Sequence, residues 1–153
     1  MSVLLVGVDP DLVAAVVRRL TAQGDQVRVV GRAGESYPGA HVAVGEPGDD
    51  DLVERAAQGA RTIVAGQVGR AGALEGAARA GVERAVLLDG DAAGVPASMS
   101  WVVLVTRRRF RRGPAPDDVA EAVDAADDMA GEPRLVADLT AEEGWRVLRL
   151  EPR

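Results

Sequence analysis

The stretch LLVGVDPDLV, Leu4–Val13, places two aspartates, Asp9 and Asp11, directly after an apolar run. Carboxylates at that spacing could ligate a hard cation such as Mg²⁺, which prefers oxygen ligands. Asp89 and Asp91 follow a later apolar run and could complete an acidic cluster at the same sheet edge. Capping explains the same residues without a metal, because an aspartate before a helix accepts from the unpaired amides of its first turn. A second stretch, RRRFRR at Arg107–Arg112, sets five arginines around Phe110. It could hold a nucleic-acid backbone, with Phe110 stacking on a base. The formal net charge is −6, and an acidic segment follows at once. The expected arrangement is therefore an exposed arginine surface paired with those acids, in the same chain or in a protein partner, with nucleic acid not the partner.

Several chemistries are excluded by composition. Cysteine is absent, which removes disulfides, thiol catalysis and thiolate metal sites. All 18 basic residues are arginine, so no lysine can act as base or Schiff-base former. His41 is the only histidine and has no acid or nucleophile set beside it by spacing. Ser98 and Ser100 lie in a loop without a histidine partner, so neither reads as an activated nucleophile.

The elements that would position these residues follow from apolar patterning. Val3–Val8 is a continuous apolar run and reads as a buried parallel strand. The segment 12–23 carries Leu12, Ala15, Val16, Val17 and Leu20 on one helical stripe, and Gly24 ends it. Strands are expected at Gln26–Val30, His41–Val44, Arg61–Ala65, Arg84–Leu88 and Trp101–Thr106, with helices at Asp49–Gln58 and Arg70–Ala80. Pro116–Ala130 reads as a helix with Val119, Ala122, Val123, Ala126 and Met129 inward. Its six acids, Asp117, Asp118, Glu121, Asp124, Asp127 and Asp128, are expected outward. Arg134–Ala137 and Trp145–Leu150 read as closing strands, and Trp101 and Trp145 as core anchors. The alternation of strands and helices predicts one doubly wound α/β domain over residues 1–153, in three layers. Its sheet should be mainly parallel, ordered 3-2-1-4-5-6, with the late strands at one edge. Apolar runs are too short to span a membrane. The segment MSVLLVGVDPD lacks the basic flank and cleavage site of a secretory leader, so a cytoplasmic protein is expected.

The run SVLLVGVDPDLVAAVVRRLTAQGDQVRVVGR resembles the opening of atypical short-chain dehydrogenases/reductases, the branch that includes NAD(P)-sensing regulators. AQGARTIVAG resembles their fourth strand and AGVERAVLLDG their fifth. WVVLVTRRRF is similar to the strand before their substrate region, and PDDVAEAVDAADD with RLVADLT to their late helix and final strand. The resemblance implies a Rossmann fold and NAD(P) as cofactor. It implies a binding set of Gly7 at the first turn, Arg32 near an adenosine phosphate, Glu46 near the adenine, and the backbone of Ala65 and Gly66.

The chain departs from that family where it matters. The family's first loop reads G-x-x-G-x-x-G; here Gly7, Pro10 and Val13 fill the three places. The second glycine admits the pyrophosphate and the third allows close helix packing. Asp9 and Asp11 add charge of the wrong sign. At ~4 Å and an effective dielectric near 20, each like-charge contact costs roughly 4 kcal/mol. The helix N-terminus attracts an anion by only about 0.3–1 kcal/mol. The family's Tyr-x-x-x-Lys pair is absent: the only tyrosine, Tyr37, follows the second strand. The fifth strand ends in Asp89-Gly90 instead of a serine, and too few residues precede the sixth strand for the catalytic helix. These departures weaken the case for NAD(P). The expected protein is a non-catalytic or degenerate NAD(P)-binding fold, acting as a weak nucleotide binder, a sensor or an interaction module, and as a homodimer or with a protein partner. The Asp9-Pro10-Asp11 triplet also resembles the D-x-D opening of haloacid-dehalogenase-type phosphatases. That likeness implies the alternative, a Mg²⁺-dependent phosphate-handling enzyme using Asp9 and Asp11.

Overall fold

The computed structural model describes residues 1–107 and 113–140 and the strand at 146–150. Every residue of β1 (Ser2–Val6) is buried, as its unbroken apolar run requires of a strand covered on both faces. Asp9 caps α1 (Pro10–Ala22), its carboxylate accepting from the Asp11 amide at 3.0 Å, and Pro10 supplies the preset φ of a first helical residue. There follow β2 (Gln26–Gly31), β3 (Ala40–Val44), α2 (Asp50–Ala56), β4 (Thr62–Ala65), α3 (Arg70–Arg79) and β5 (Arg84–Leu88). No helix lies between β5 and β6 (Ser100–Val105); α4 (Pro116–Asp127), β7 (Arg134–Asp138) and β8 (Arg146–Leu150) complete the described elements.

The sheet runs β3-β2-β1-β4-β5-β6-β7-β8. Neighbouring strands are parallel throughout, except that β8 joins β7 antiparallel. Leu5 stands opposite both Val29 and Val64, which sets β1 at the centre. The chain therefore has the doubly wound, Rossmann-like order expected of it. On one face α1 packs against α4 over a core of Val3, Leu5, Val16, Leu20, Val86, Val102 and Val123. On the other α2 packs against α3 over Leu4, Ile63, Leu74, Leu87, Met99 and Trp101. Each fully buried Leu or Val contributes roughly 1.5–3 kcal/mol, so this core is mainly aliphatic, with Trp101 its buried aromatic. Trp145 lies outside the described residues.

The acidic face of α4 is not uniformly outward. Asp124 and Asp127 are buried, the latter 1 % exposed. Asp124 accepts from Arg19 Nε at 2.9 Å and from Gln23 Nε2 at 2.7 Å, tying α4 to α1. Asp127 accepts from Thr62 Oγ1 at 2.5 Å and pairs with Arg61 at 2.8 Å. Arg84 donates to the carbonyls of Ala126, Asp127 and Gly131, closing the open end of α4. With 3.6 residues per turn, positions 120, 124 and 127 fall on one stripe beside the apolar face, where α1 and the strand starts meet the helix. One oxygen of each carboxylate takes these donors, while Asp124 Oδ1 and Asp127 Oδ2 are buried without a hydrogen-bond partner. Asp117 does face outward and pairs with Arg18.

Candidate functional site

The carboxyl ends of six strands, β1 to β6, open onto one cavity of about 780 Å³. Ligands of open α/β sheets bind in this place, where the strand order reverses at β1 and β4. Its wall is built from the loops after each strand. Gly7 turns the chain off β1 in the left-handed region, with φ +66°. The loop after β4 lies against it: a Cβ on Gly66 would overlap the Gly7 carbonyl, and one on Gly7 would meet the Val68 carbonyl. Glycine at both positions is what lets these two loops touch.

The first turn of α1 faces the cavity with its anion-binding capacity already engaged. Pro10 has no amide proton to offer. The Asp11 amide donates to Asp9 Oδ1 at 3.0 Å, and the Val13 amide to the Asp9 carbonyl at 2.9 Å. The Asp9 carboxylate thus occupies the position where a helix N-terminus would hold a phosphate. Val13 is buried in the α1–α4 core, so a branched side chain fills the third glycine place.

Gly7, Arg32, Glu46 and Gly66 all line the cavity. Arg32 and Glu46 are exposed at its β2–β3 rim. Ala65 does not line it. It is fully buried, and its carbonyl accepts from Arg70 Nη2 at 3.2 Å. The Gly66 backbone is likewise engaged: its amide donates to the Val6 carbonyl and its carbonyl accepts from Arg70 Nε at 2.9 Å. Arg70 thus takes the carbonyls of both Ala65 and Gly66, the backbone that the resemblance assigns to a cofactor.

Arg70 carries more of the site than its place at the start of α3 suggests. It also donates Nη1 to the Asp89 carbonyl at 2.6 Å and Nη2 to the Leu88 carbonyl at 2.7 Å. One guanidinium thereby ties the ends of β4 and β5 together. Burial lowers its pKa below the ordinary arginine value, while Asp89 and Asp91 oppose that shift. Asp89 is the one non-glycine residue in the left-handed region among the described residues, with φ +63°. Its carboxylate accepts from the Thr106 amide at 2.7 Å, from the Thr106 hydroxyl, and from the Arg107 amide at 3.1 Å. It thus fixes where the chain leaves β6. No sequence pattern marks either role, although the apolar runs ending at Leu88 and Val105 do place Asp89 and Thr106 at neighbouring strand ends.

The four aspartates do not assemble a metal cluster. Asp9 caps α1, Asp89 braces β6, and Asp91 accepts from the Ala93 amide at 2.9 Å. Among the described residues, the only acids whose carboxylates come close enough to share an ion are Asp49, Asp50 and Asp51, at the start of α2. Two of these already serve local amides and two pair with Arg79. Tyr37 lies beside the cavity with its hydroxyl donating to Glu35 at 3.1 Å. Its pKa is raised by burial, by that hydrogen bond, and by the charges of Glu35, Asp9 and Asp11, so it reports a negative field at this end. His41 is exposed on β3. Arg107 is exposed and lines the cavity; Arg108–Arg112 lie outside the described residues. No helix among the described residues is long and apolar enough to cross a membrane.

No protein-family model matches the chain, and no curated protein sequence matches it. Solved structures do. ChuY of Escherichia coli O157:H7, described as an anaerobillin reductase, superposes with a TM-score of 0.71 at 14% identity over 100% of both chains. A short-chain dehydrogenase/reductase of the wide type from Veillonella parvula, in complex with NADP, gives 0.66 at 11% identity over 86% of this chain and 88% of that one. WbmH of Bordetella bronchiseptica, in complex with NAD⁺, gives 0.65 at 13% identity over 95% of this chain and 77% of that one. At these identities the likeness shows a shared Rossmann-like α/β fold, and fold alone does not assign an activity.

Proposed function

We propose that this protein is a non-catalytic relative of NAD(P)-binding Rossmann proteins whose cavity holds a nucleotide only weakly, serving as a sensor or interaction module. The observation that carries this reading is the Asp9 carboxylate seated on the first turn of α1. Two neighbours were solved with NAD⁺ or NADP, which makes a dinucleotide the ligand to test first. A diphosphate there would meet Asp9 and Asp11 without a compensating lysine or a free glycine loop. The hydride-transfer reading lacks its acid: Tyr37 is bonded to Glu35, with no lysine in the chain to lower its pKa.

The test is calorimetric titration with NADPH and NADH. The wild-type protein is expected to show no dissociation constant tighter than millimolar. Replacing Asp9→Ser and Pro10→Gly together should tighten binding by about ten-fold or more. The full repulsion is roughly 4 kcal/mol at ~4 Å, and solvent at this open site reduces it. A micromolar constant for the wild type, or turnover of a carbonyl substrate with NADPH, would overturn the proposal.

A further inference from the structure

The charges lining the cavity are not mixed evenly; they separate along its length. At the β1–β3 end stand Asp9, Asp11, Glu35 and Glu46, opposed among the described lining residues by Arg32. The raised pKa of Tyr37 follows from burial and then from three of these carboxylates, so the negative field reaches into the wall. At the β5–β6 end the lining charges, Asp89 and Arg107, balance. Asp89 is the acid there, and three donors from Thr106 and Arg107 already occupy its carboxylate. Arg70 lies half-buried behind it, and every one of its hydrogen bonds goes to a neutral carbonyl. Arg107 lines the cavity, is exposed, and has a backbone fixed by Asp89. Its side chain has no ion-pair partner among the described residues.

From this separation we infer that the cavity takes a small organic acid, its carboxylate on Arg107 and an amine at its far end toward Asp9 and Asp11. A carboxylate gains a planar, two-pronged donor at Arg107. An ammonium gains the field that rejects a diphosphate. β1 and β6 are three strand steps apart, about 14 Å at ~4.8 Å per step. The arginine and aspartate side chains reach inward from both sides, so the ligand need only be a chain of several carbons. The inference rests on the same repulsion at α1 as the proposed function and adds the chemistry of the ligand. It makes Asp89 a positioning residue, holding the Arg107 backbone at the rim.

The experiment titrates isotopically labelled full-length protein, followed by NMR, with three probes. These are ε-aminocaproate (a zwitterion), adipate (its dianionic counterpart) and n-hexylamine (the cation alone). Saturable shifts with ε-aminocaproate, at an affinity about ten-fold or more above adipate and hexylamine, are expected. The Arg107 side chain and Thr106 should shift most. Arg107→Ala should abolish the preference over hexylamine, and Asp11→Asn should narrow the preference over adipate. Folding of each variant is checked from the unchanged remainder of the spectrum. Equal binding of adipate, no saturable binding of ε-aminocaproate, or an Arg107→Ala variant that binds as the wild type would each overturn the inference. An NADPH titration separates the two ideas. Millimolar NADPH with a failed zwitterion sinks only the ligand assignment. Micromolar NADPH sinks the proposed function, whatever the zwitterion does.

Discussion

Arg70→Met should destabilise the protein by about 3 kcal/mol, and the number can be built from the structure. The wild-type guanidinium serves four carbonyls, of Ala65, Gly66, Leu88 and Asp89. Hydrogen bonds from a charged donor contribute roughly 1.5–3 kcal/mol each, and a buried acceptor left unsatisfied costs about 1–3 kcal/mol. Simple addition overshoots for two reasons. Burial lowers the arginine's pKa, which is the signature of a desolvation cost already borne in the folded state. Gly66, Leu88 and Asp89 all line the cavity, where water can replace part of the lost donation, although Leu88 is only 6 % exposed. That leaves chiefly the carbonyls of the buried Ala65 and Leu88, hence about 3 kcal/mol. Methionine keeps much of the stem's apolar contact, so the loss reports the guanidinium. Urea unfolding would measure it. With a slope of about 1–3 kcal/mol per molar, the midpoint should fall by roughly 1–3 M without a change of slope. Arg70→Lys should recover less than half, because an ammonium cannot span both strand ends at once. A loss under about 0.5 kcal/mol for Arg70→Met, the scale of an ordinary surface change, would refute the idea that this residue clamps β4 to β5.

The Gly66→Ala variant should lose about 1–3 kcal/mol, because its Cβ overlaps the backbone oxygen of Gly7. The control is Gly59→Ala, which has open space but φ +76°; thermal unfolding should show a smaller loss, of about 1–2 kcal/mol. Asp127→Ala should cost about 1–3 kcal/mol by chemical denaturation, since it leaves the buried Thr62 hydroxyl without its acceptor and removes the nearer of two carboxylates from Arg61. Tyr37 has a folded-state pKa above its ordinary value of 10.0, so its protonated form is favoured by folding. Its contribution is complete below that ordinary value and is lost as pH rises through the folded one. Melting temperatures of wild type and Tyr37→Phe should therefore converge as pH climbs above about 10, and a constant difference would contradict the assigned field.

The strands were legible because this sheet is buried on both faces. β1, β5 and β6 are unbroken apolar runs, and nothing but a covered parallel strand makes use of such a run. The cap of α1 was legible for a local reason: Asp9 acts on an amide two residues away. Asp124 and Asp127 were not, because a hydrophobic pattern counts any acid as outward. What turns them inward is Arg19 and Arg61, 105 and 66 residues distant. Helix termini differ a little for a related reason. α2 and α4 stop at Ala56 and Asp127, short of the apolar pattern, where their last carbonyls meet Arg28 and Arg84.

The site divides along the same line between local and distant causes. Gly7 and Gly66 could be named because a strand end followed by a glycine marks a turn at a sheet edge. Arg32 and Glu46 could be named because they directly follow strands whose order was legible. Ala65 lies outside the cavity lining, and its carbonyl accepts from Arg70. That bond depends on α3 beginning close enough for one side chain to reach two strands. The close start is set by Gly69, whose left-handed φ of +67° and contact with Gly48 bring the helix down onto the loop after β3. Arg107 shows the same dependence in functional form. As part of an arginine run it reads as surface charge. Its proposed role as a ligand anchor depends on the Asp89 carboxylate, which, held across the β5–β6 edge, fixes its amide at the rim of the cavity. The charge of a residue is written in the sequence, but the direction in which it acts was decided here by a carboxylate 18 positions away.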